Sequence, residues 1–229
     1  MKAETIRLLA VMASPRANGN SAWIIHELLE DTGRDIPVKS TVYSMSGKRI
    51  SPCTGCLGCY KNGGDCVIRD DFQELKSLWV SNDAILYVMP VYHLGVPGQL
   101  KCFFDRLGNT FHGQPPQKHR KVIGAIAQGG ISMGGQELTN LYLMSHALIM
   151  HSFFVIGDRA QLGIGLVSGV GGNRDSFREK SVSGETGYVR DLEISRNMLR
   201  RLVETTAIIR AGISLVCETQ EEDEKEVRE

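Results

Sequence analysis

Residues 84–89 (AILYVM) are apolar without interruption and are stopped by Pro90. A strand of this kind has no polar face, so both of its sides must be covered, as they are inside a parallel sheet. The rest of the chain repeats the theme. Residues 6–12 read as a buried strand, and 21–31 as a helix with Ile24, Ile25, Leu28 and Leu29 on one face. Residues 38–43 form a weaker strand. Asp70 or Asp71 caps a helix bearing Phe72, Leu75, Leu78 and Trp79. Pro97 suits the first turn of a helix whose inner face is Leu100, Phe103, Phe104 and Leu107. A fourth strand at 122–127, a helix at 136–150, a strand at 153–156 and a last helix from about 188 to 210 complete the pattern. Five strands alternating with five helices predict an α/β chain, with a doubly wound five-stranded parallel sheet covered on both faces.

A chain of 229 residues is expected to hold one domain, over 1–217. Its net charge of zero gives no electrostatic reason to expect nucleic acid, but the charge is uneven. Residues 218–229 (ETQEEDEKEVRE) carry seven acids and two bases, an acidic tail expected to be solvated. Residues 160–187 hold seven glycines and no clear period, and read as an irregular insertion: a lid, a subunit contact or a passive loop. The short apolar run 8–13 leads straight into a polar turn, and no stretch approaches a membrane span. The expectation is a cytoplasmic chain with no membrane partner.

Chemistry concentrates in one loop, residues 50–69. Cys53, Cys56 and Cys59 are spaced two residues apart and are followed by Cys66. In a chain without an export signal, such cysteines argue for ligation rather than disulfides. Four thiolates so spaced can hold a [4Fe–4S] cluster. They can equally hold zinc, or stand as free thiols. Cys102 reads as a small core residue on its helix.

The first strand runs into Ser14-Pro15-Arg16-Ala17-Asn18-Gly19-Asn20-Ser21 and then a helix. A helix N-terminus fed by small polar residues favours a phosphate, although this is neither an ATP P-loop nor a dinucleotide fingerprint. The third strand ends in Pro90-Val91-Tyr92-His93-Leu94-Gly95, and the fourth in a loop containing Gly129 and Gly130. All three loops open at the C-terminal edge of a parallel sheet, and together they describe a site for a flat ring on a phosphorylated tail, FMN. His93 is a weak candidate for an acid near the ring, with simple loop packing as the plainer reading. The other histidines, His26, His112, His119, His146 and His151, show no ligand spacing and read as structural.

The pieces SPRANGNS, the cysteine run with its following CVIRDD, PVYHLGVPGQLKCFFDR and AQGGISMGGQE, spanning 14–137 in that order, resemble the NADPH-dependent FMN reductase family of flavodoxin-like proteins and, within it, the iron–sulfur flavoproteins. The resemblance implies that Ser14, Arg16, Asn20 and Ser21 hold the FMN phosphate. It implies that Pro90, Tyr92, His93, Leu94 and Gly95 line the ring, with Gly129 and Gly130 closing the other side. It also implies NAD(P)H as a possible donor, a small-molecule or protein acceptor, and a homodimer or homotetramer. An NAD(P)H:quinone or FMN reductase without a cluster, a flavodoxin-like electron carrier, and an FMN-dependent dehydrogenase of a small ring substrate are the alternatives.

Overall fold

In the computed structural model, which describes residues 4–30, 32–33, 35–111, 120–157, 164–168 and 175–226, the apolar runs assemble as one parallel sheet. Its strands are β1 (Ile6–Met12), β2 (Val38–Ser44), β3 (Ala84–Pro90), β4 (Val122–Gly129) and β5 (Phe153–Phe154), joined by β6 (Ile164–Val167). The order is β2-β1-β3-β4-β5, with β6 also pairing β4. Every pairing is parallel. This is the flavodoxin-like order, whose direction reverses between β1 and β3.

The helices are α1 (Asn20–Glu30), α2 (Gly58–Lys61), α3 (Phe72–Ser81), α4 (Gly98–Thr110), α5 (Gln136–Ile149), α6 (Ser176–Val182) and α7 (Thr186–Glu226). Strand side chains alternate between two cores, as the period of two requires. Leu8, Ala10, Leu86, Val88 and Ile126 pack with Ile24 and Leu28 of α1, Phe177 of α6 and Met198 and Leu202 of α7. Leu9, Val11, Ile85, Tyr87 and Ile123 pack with Phe72 and Trp79 of α3, Phe103 and Leu107 of α4 and Leu143 of α5. Helices therefore cover both faces, which is why β3 tolerates no polar residue.

The fifth strand differs from expectation. β5 is two residues long and pairs with Val122 and Ile123. The remainder of that edge, Ile126 to Gly129, is taken by β6. All eight β4 residues are buried, so its backbone groups need partners on both sides. The glycine-rich segment supplies them. That segment, read as irregular over 160–187, thus contains β6, α6 and the start of α7 among its described residues. The last helix also exceeds its expected end near 210, continuing to Glu226.

The N-terminal edge of the sheet is held by charge. Asp83 accepts hydrogen bonds from the Arg7 backbone N–H (2.9 Å), from Arg7 Nε (3.1 Å) and Nη2 (2.7 Å), and from Arg210 Nη1 of α7 (2.9 Å). Lys121 Nζ donates to the Val80 and Asn82 carbonyls, each at 2.7 Å, and burial pulls its pKa down to about 8. No helix among the described residues is long and apolar enough to cross a membrane.

His146, on the inner side of α5, stacks on Phe104 with ring centroids 3.9 Å apart, and its Nε2 has no hydrogen-bond partner. Burial pulls its pKa from 6.5 down to about 4. Between those values the unfolded chain takes up a proton that the folded chain refuses, so stability falls as pH drops through that window, by up to about 1.4 kcal/mol per pH unit. Urea denaturation at pH 7, 5.5 and 4.5 should show this slope. His146→Leu should remove much of it, and an unchanged slope would refute the assignment.

Candidate functional site

The three predicted flavin loops meet at the C-terminal edge, around the β1/β3 reversal. Ala13 N donates to Val88 O (2.9 Å) and Val91 N to Gln128 O (2.7 Å), tying the ends of β1, β3 and β4 together. In the first loop Ser14 Oγ accepts the Arg16 N–H at 3.1 Å, and Ser21 Oγ accepts from Gln128 Nε2 at 2.9 Å. Both hydroxyls keep a proton with which to donate. Arg16 folds back over Gly19 and approaches Asp175 at 3.4 Å. Asn20 is committed inward: its Nδ2 donates to Ser168 O (2.8 Å), and its Oδ1 accepts from Arg178 N (3.4 Å). Of the four residues expected at the phosphate, Asn20 acts as the clip that fastens the loop to the segment carrying β6 and α6.

The second loop is a hairpin. Tyr92 N donates to Gly95 O (2.9 Å) and Gly95 N to Tyr92 O (3.1 Å), while His93 (φ 49°) and Leu94 (φ 66°) occupy the two central positions. Both lie in the left-handed region, which a type I′ turn demands and which glycine or asparagine usually fills. A leucine held there stores about 1 kcal/mol or more. The third loop explains part of the constraint. Gly135 has φ +100°, and a Cβ on it would come within 2.7 Å of Leu94 Cα, so the two loops lie backbone against backbone. Around them Tyr92, Leu94, Ile131 and Met133 are exposed, Met133 by 88%. An apolar rim over strained backbone suits a flat ring. Gly129 lies against the Gln136 carboxamide, whose buried Oε1 has no donor. Pro90 closes β3, with Gly130 exposed beyond β4.

The four cysteines occupy a second place, beside the C-terminal end of α4 and away from the flavin loops. Cys53, Cys56, Cys59 and Cys66 line one pocket together with Arg106, Asn109 and Thr110 of α4. The loop that holds them is closed at its ends. Ser51 N donates to Asp70 Oδ2 (2.8 Å), and Arg106 reaches Ser51 O (3.3 Å), Ile68 O (2.7 Å) and both Asp70 oxygens (2.8 Å each). Within the loop, Gly58 starts α2. A Cβ there would come within 2.7 Å of Val67 Cγ1, so a side chain would force the two arms apart.

Donors surround the sulfurs. Gly55 N (3.5 Å) and Asn109 Nδ2 (3.8 Å) approach Cys53 Sγ. The Gly58 backbone N–H, and then the Thr54 hydroxyl, hold the Cys56 thiol below its ordinary range. Cys59, buried, donates to Asn109 O at 3.4 Å. A single tetrahedral zinc, with Zn–S near 2.3 Å, would hold its sulfurs about 3.8 Å apart. Among the described residues the three-ligand group within 4.8 Å is His26, Glu27 and Glu30, not the cysteines. Four thiols sharing a pocket, with N–H groups aimed at one of them, form a donor set suited to a thiolate-bound metal ion or cluster.

His26 departs from its expected isolation. It lies 3.4 Å from Glu30, one turn on, but it is exposed and Glu27 is taken by Arg196 at 3.2 Å. The residues that sequence reasoning passed over are Arg106, Asn109, Gln128 and Asp175. Arg106 did leave a signal, as a lone cation beside Phe103 and Leu107 on the inner face of α4. Asp175 left none, because only the fold brings it to Arg16.

Known proteins share this chain's family and fold. Residues 6–163 match the NADPH-dependent FMN reductase family. An iron–sulfur flavoprotein of Methanocaldococcus jannaschii is 29% identical over 205 residues, covering 90% of this chain and all of that protein. Another, of Methanosarcina thermophila, is 30% identical over 158 residues, covering 69% of this chain and 81% of that protein. Among solved structures, a WrbA-like flavodoxin of Agrobacterium tumefaciens superposes with a TM-score of 0.56 at 17% identity, over 88% of this chain and 97% of that one. With sequence matched across more than half its length and the sheet order in agreement, the chain belongs to the NADPH-dependent FMN reductase family, among its iron–sulfur flavoproteins.

Proposed function

We propose that this FMN-dependent oxidoreductase is of the iron–sulfur flavoprotein type, moving electrons between a reduced donor such as NAD(P)H, FMN, a [4Fe–4S] cluster and a small-molecule or protein acceptor. The observation that carries the proposal is a single pocket lined by all four cysteines, in a chain whose other loops form the flavin edge. When bound, FMN and the cluster supply two-electron and one-electron chemistry respectively. The protein's part is to hold and to shield them. Arg16 and the Ser14 and Ser21 hydroxyls bind the phosphate at the N-terminus of α1, with Asn20 fixing the loop behind them. The hairpin from Pro90 to Gly95 and the Gly129–Gly130 loop take the two sides of the ring. His93 serves through its backbone conformation rather than as an acid.

The two sites lie at opposite ends of α4. The cysteine pocket reaches Asn109 and Thr110, whereas the hairpin precedes Gly98, which leaves about 16 Å of helix between them. A homodimer or homotetramer in which one chain's cysteine loop approaches another's flavin removes that gap. The exposed Leu138, Leu141, Leu148 and Ile149 of α5 give such an assembly apolar surface to bury.

Replacing Arg16 with Glu turns the phosphate partner into a repelling charge. It should weaken FMN binding by about 3 kcal/mol, more than a hundredfold; stoichiometric flavin after desalting would reject the phosphate assignment. Cys66→Ala should cut iron and acid-labile sulfide in anaerobically purified protein while leaving flavin in place. A wild-type chain carrying zinc, or less than about one iron, rejects the cluster. Sedimentation at micromolar protein should show a dimer or tetramer, and a monomer with full NAD(P)H turnover would exclude the intersubunit arrangement.

A further inference from the structure

Arg106 is a fully buried cation that phosphate, ring and thiol ligation all leave unused. It is 1% exposed, and its guanidinium lies 4.1 Å over the Phe72 ring, which fixes its plane. Nη1 donates to Asp70 and to Ser51 O, and Nη2 to Ile68 O. The remaining donor, Nε–H, is buried with no acceptor in the protein. An orphaned buried donor is costly, so its retention on a side chain whose other nitrogens are all hydrogen-bonded needs a reason. A second observation points to one. Arg106 lines the cysteine pocket and Asp70 does not. The ion pair is neutral as a whole, and Arg106 is the partner that borders the cysteine pocket. One turn further along α4, Asn109 aims Nδ2 at Cys53 Sγ, so residues three apart on one helix face both border the pocket.

We infer that Arg106 is a positioning residue of the cysteine site: its Nε–H is a donor kept for a sulfur of the bound iron–sulfur group, and its guanidinium stabilises the reduced state of that group. The inference rests on the cluster reading given above. One-electron reduction by an external donor adds one negative charge to a thiolate-bound group and breaks no bond. N–H···S hydrogen bonds and a nearby cation favour the more negative state, and so raise the reduction potential. Closing the loop through Ser51, Ile68 and Asp70 is a separate, purely structural service of the same side chain, and the experiment must tell them apart.

Arg106→Lys does so, because lysine keeps a cation beside Asp70 but has no N–H at the ε position of the fork. The full chain is purified anaerobically, iron and FMN per chain are measured, and the cluster is titrated potentiometrically by its electron paramagnetic resonance signal. The expected Lys variant keeps its FMN and iron. At a fixed potential its reduced-to-oxidised ratio falls about tenfold, which is about 59 mV for one electron. The paired Arg106→Met, Asp70→Asn variant, which leaves neither an ε N–H nor an unpaired buried charge, should move further in the same direction. An iron-replete Lys variant titrating with the wild type overturns the inference and leaves Arg106 as a loop staple. Iron absent from the wild type as well would sink the cluster reading, and the inference with it.

Discussion

Burial of β3 on both faces is the constraint from which the rest of the architecture follows. Every residue from Ala84 to Met89 is withdrawn from water, so the strand must lie inside a sheet and helices must cover both sides. Parallel strands joined by helical crossovers all end at the same edge. Polar chemistry has no room in either core, and the C-terminal edge is where β1, β2, β3 and β4 release their loops. The opposite edge is closed by Asp83, Arg7, Arg210 and Lys121. One edge is locked by charge and the other is left for ligands.

Two different problems are solved with the same means, one on the open edge and one at the far end of α4. A flat ring needs backbone brought close and held still, and the hairpin at His93–Leu94 achieves this at the expense of left-handed residues pressed against Gly135. The cysteine loop gathers four thiols into one pocket with short turns, N–H donors and a clamp across its ends. In both places buried polar groups sit on the flanking helices, Arg106 on the largely apolar inner face of α4 and Gln136, Thr139, Asn140 and His146 on α5. Gln136 and Arg106, each with a buried unsatisfied atom, stand at the junction between those cores and the two sites.

The glycine-rich segment joins these themes. Through β6 it completes the partner set of β4, and through Ser168, Asp175 and Arg178 it reaches Asn20 and Arg16. A region with no periodic pattern is therefore part of both the sheet and the phosphate loop's support. Its ties to the phosphate loop are hydrogen bonds and single charged groups, and its core residues Ile164, Leu166 and Phe177 follow no regular period.

Uninterrupted apolar runs, a helix-starting polar turn and four closely spaced cysteines were enough to read the sheet, its flavin edge and the thiol loop, because each depends on residues near one another in the chain. The nearly uninterrupted apolar run of β1 and the apolar face of α4 are local patterns imposed by backbone geometry. What the sequence could not say was which distant groups complete each place. The splitting of the fifth strand into β5 and β6, the inward commitment of Asn20, and the meeting of Arg106 with Cys53–Cys66 all join residues tens of positions apart. Such pairings are set by the packing of helices on the sheet, and only the tertiary structure decides them.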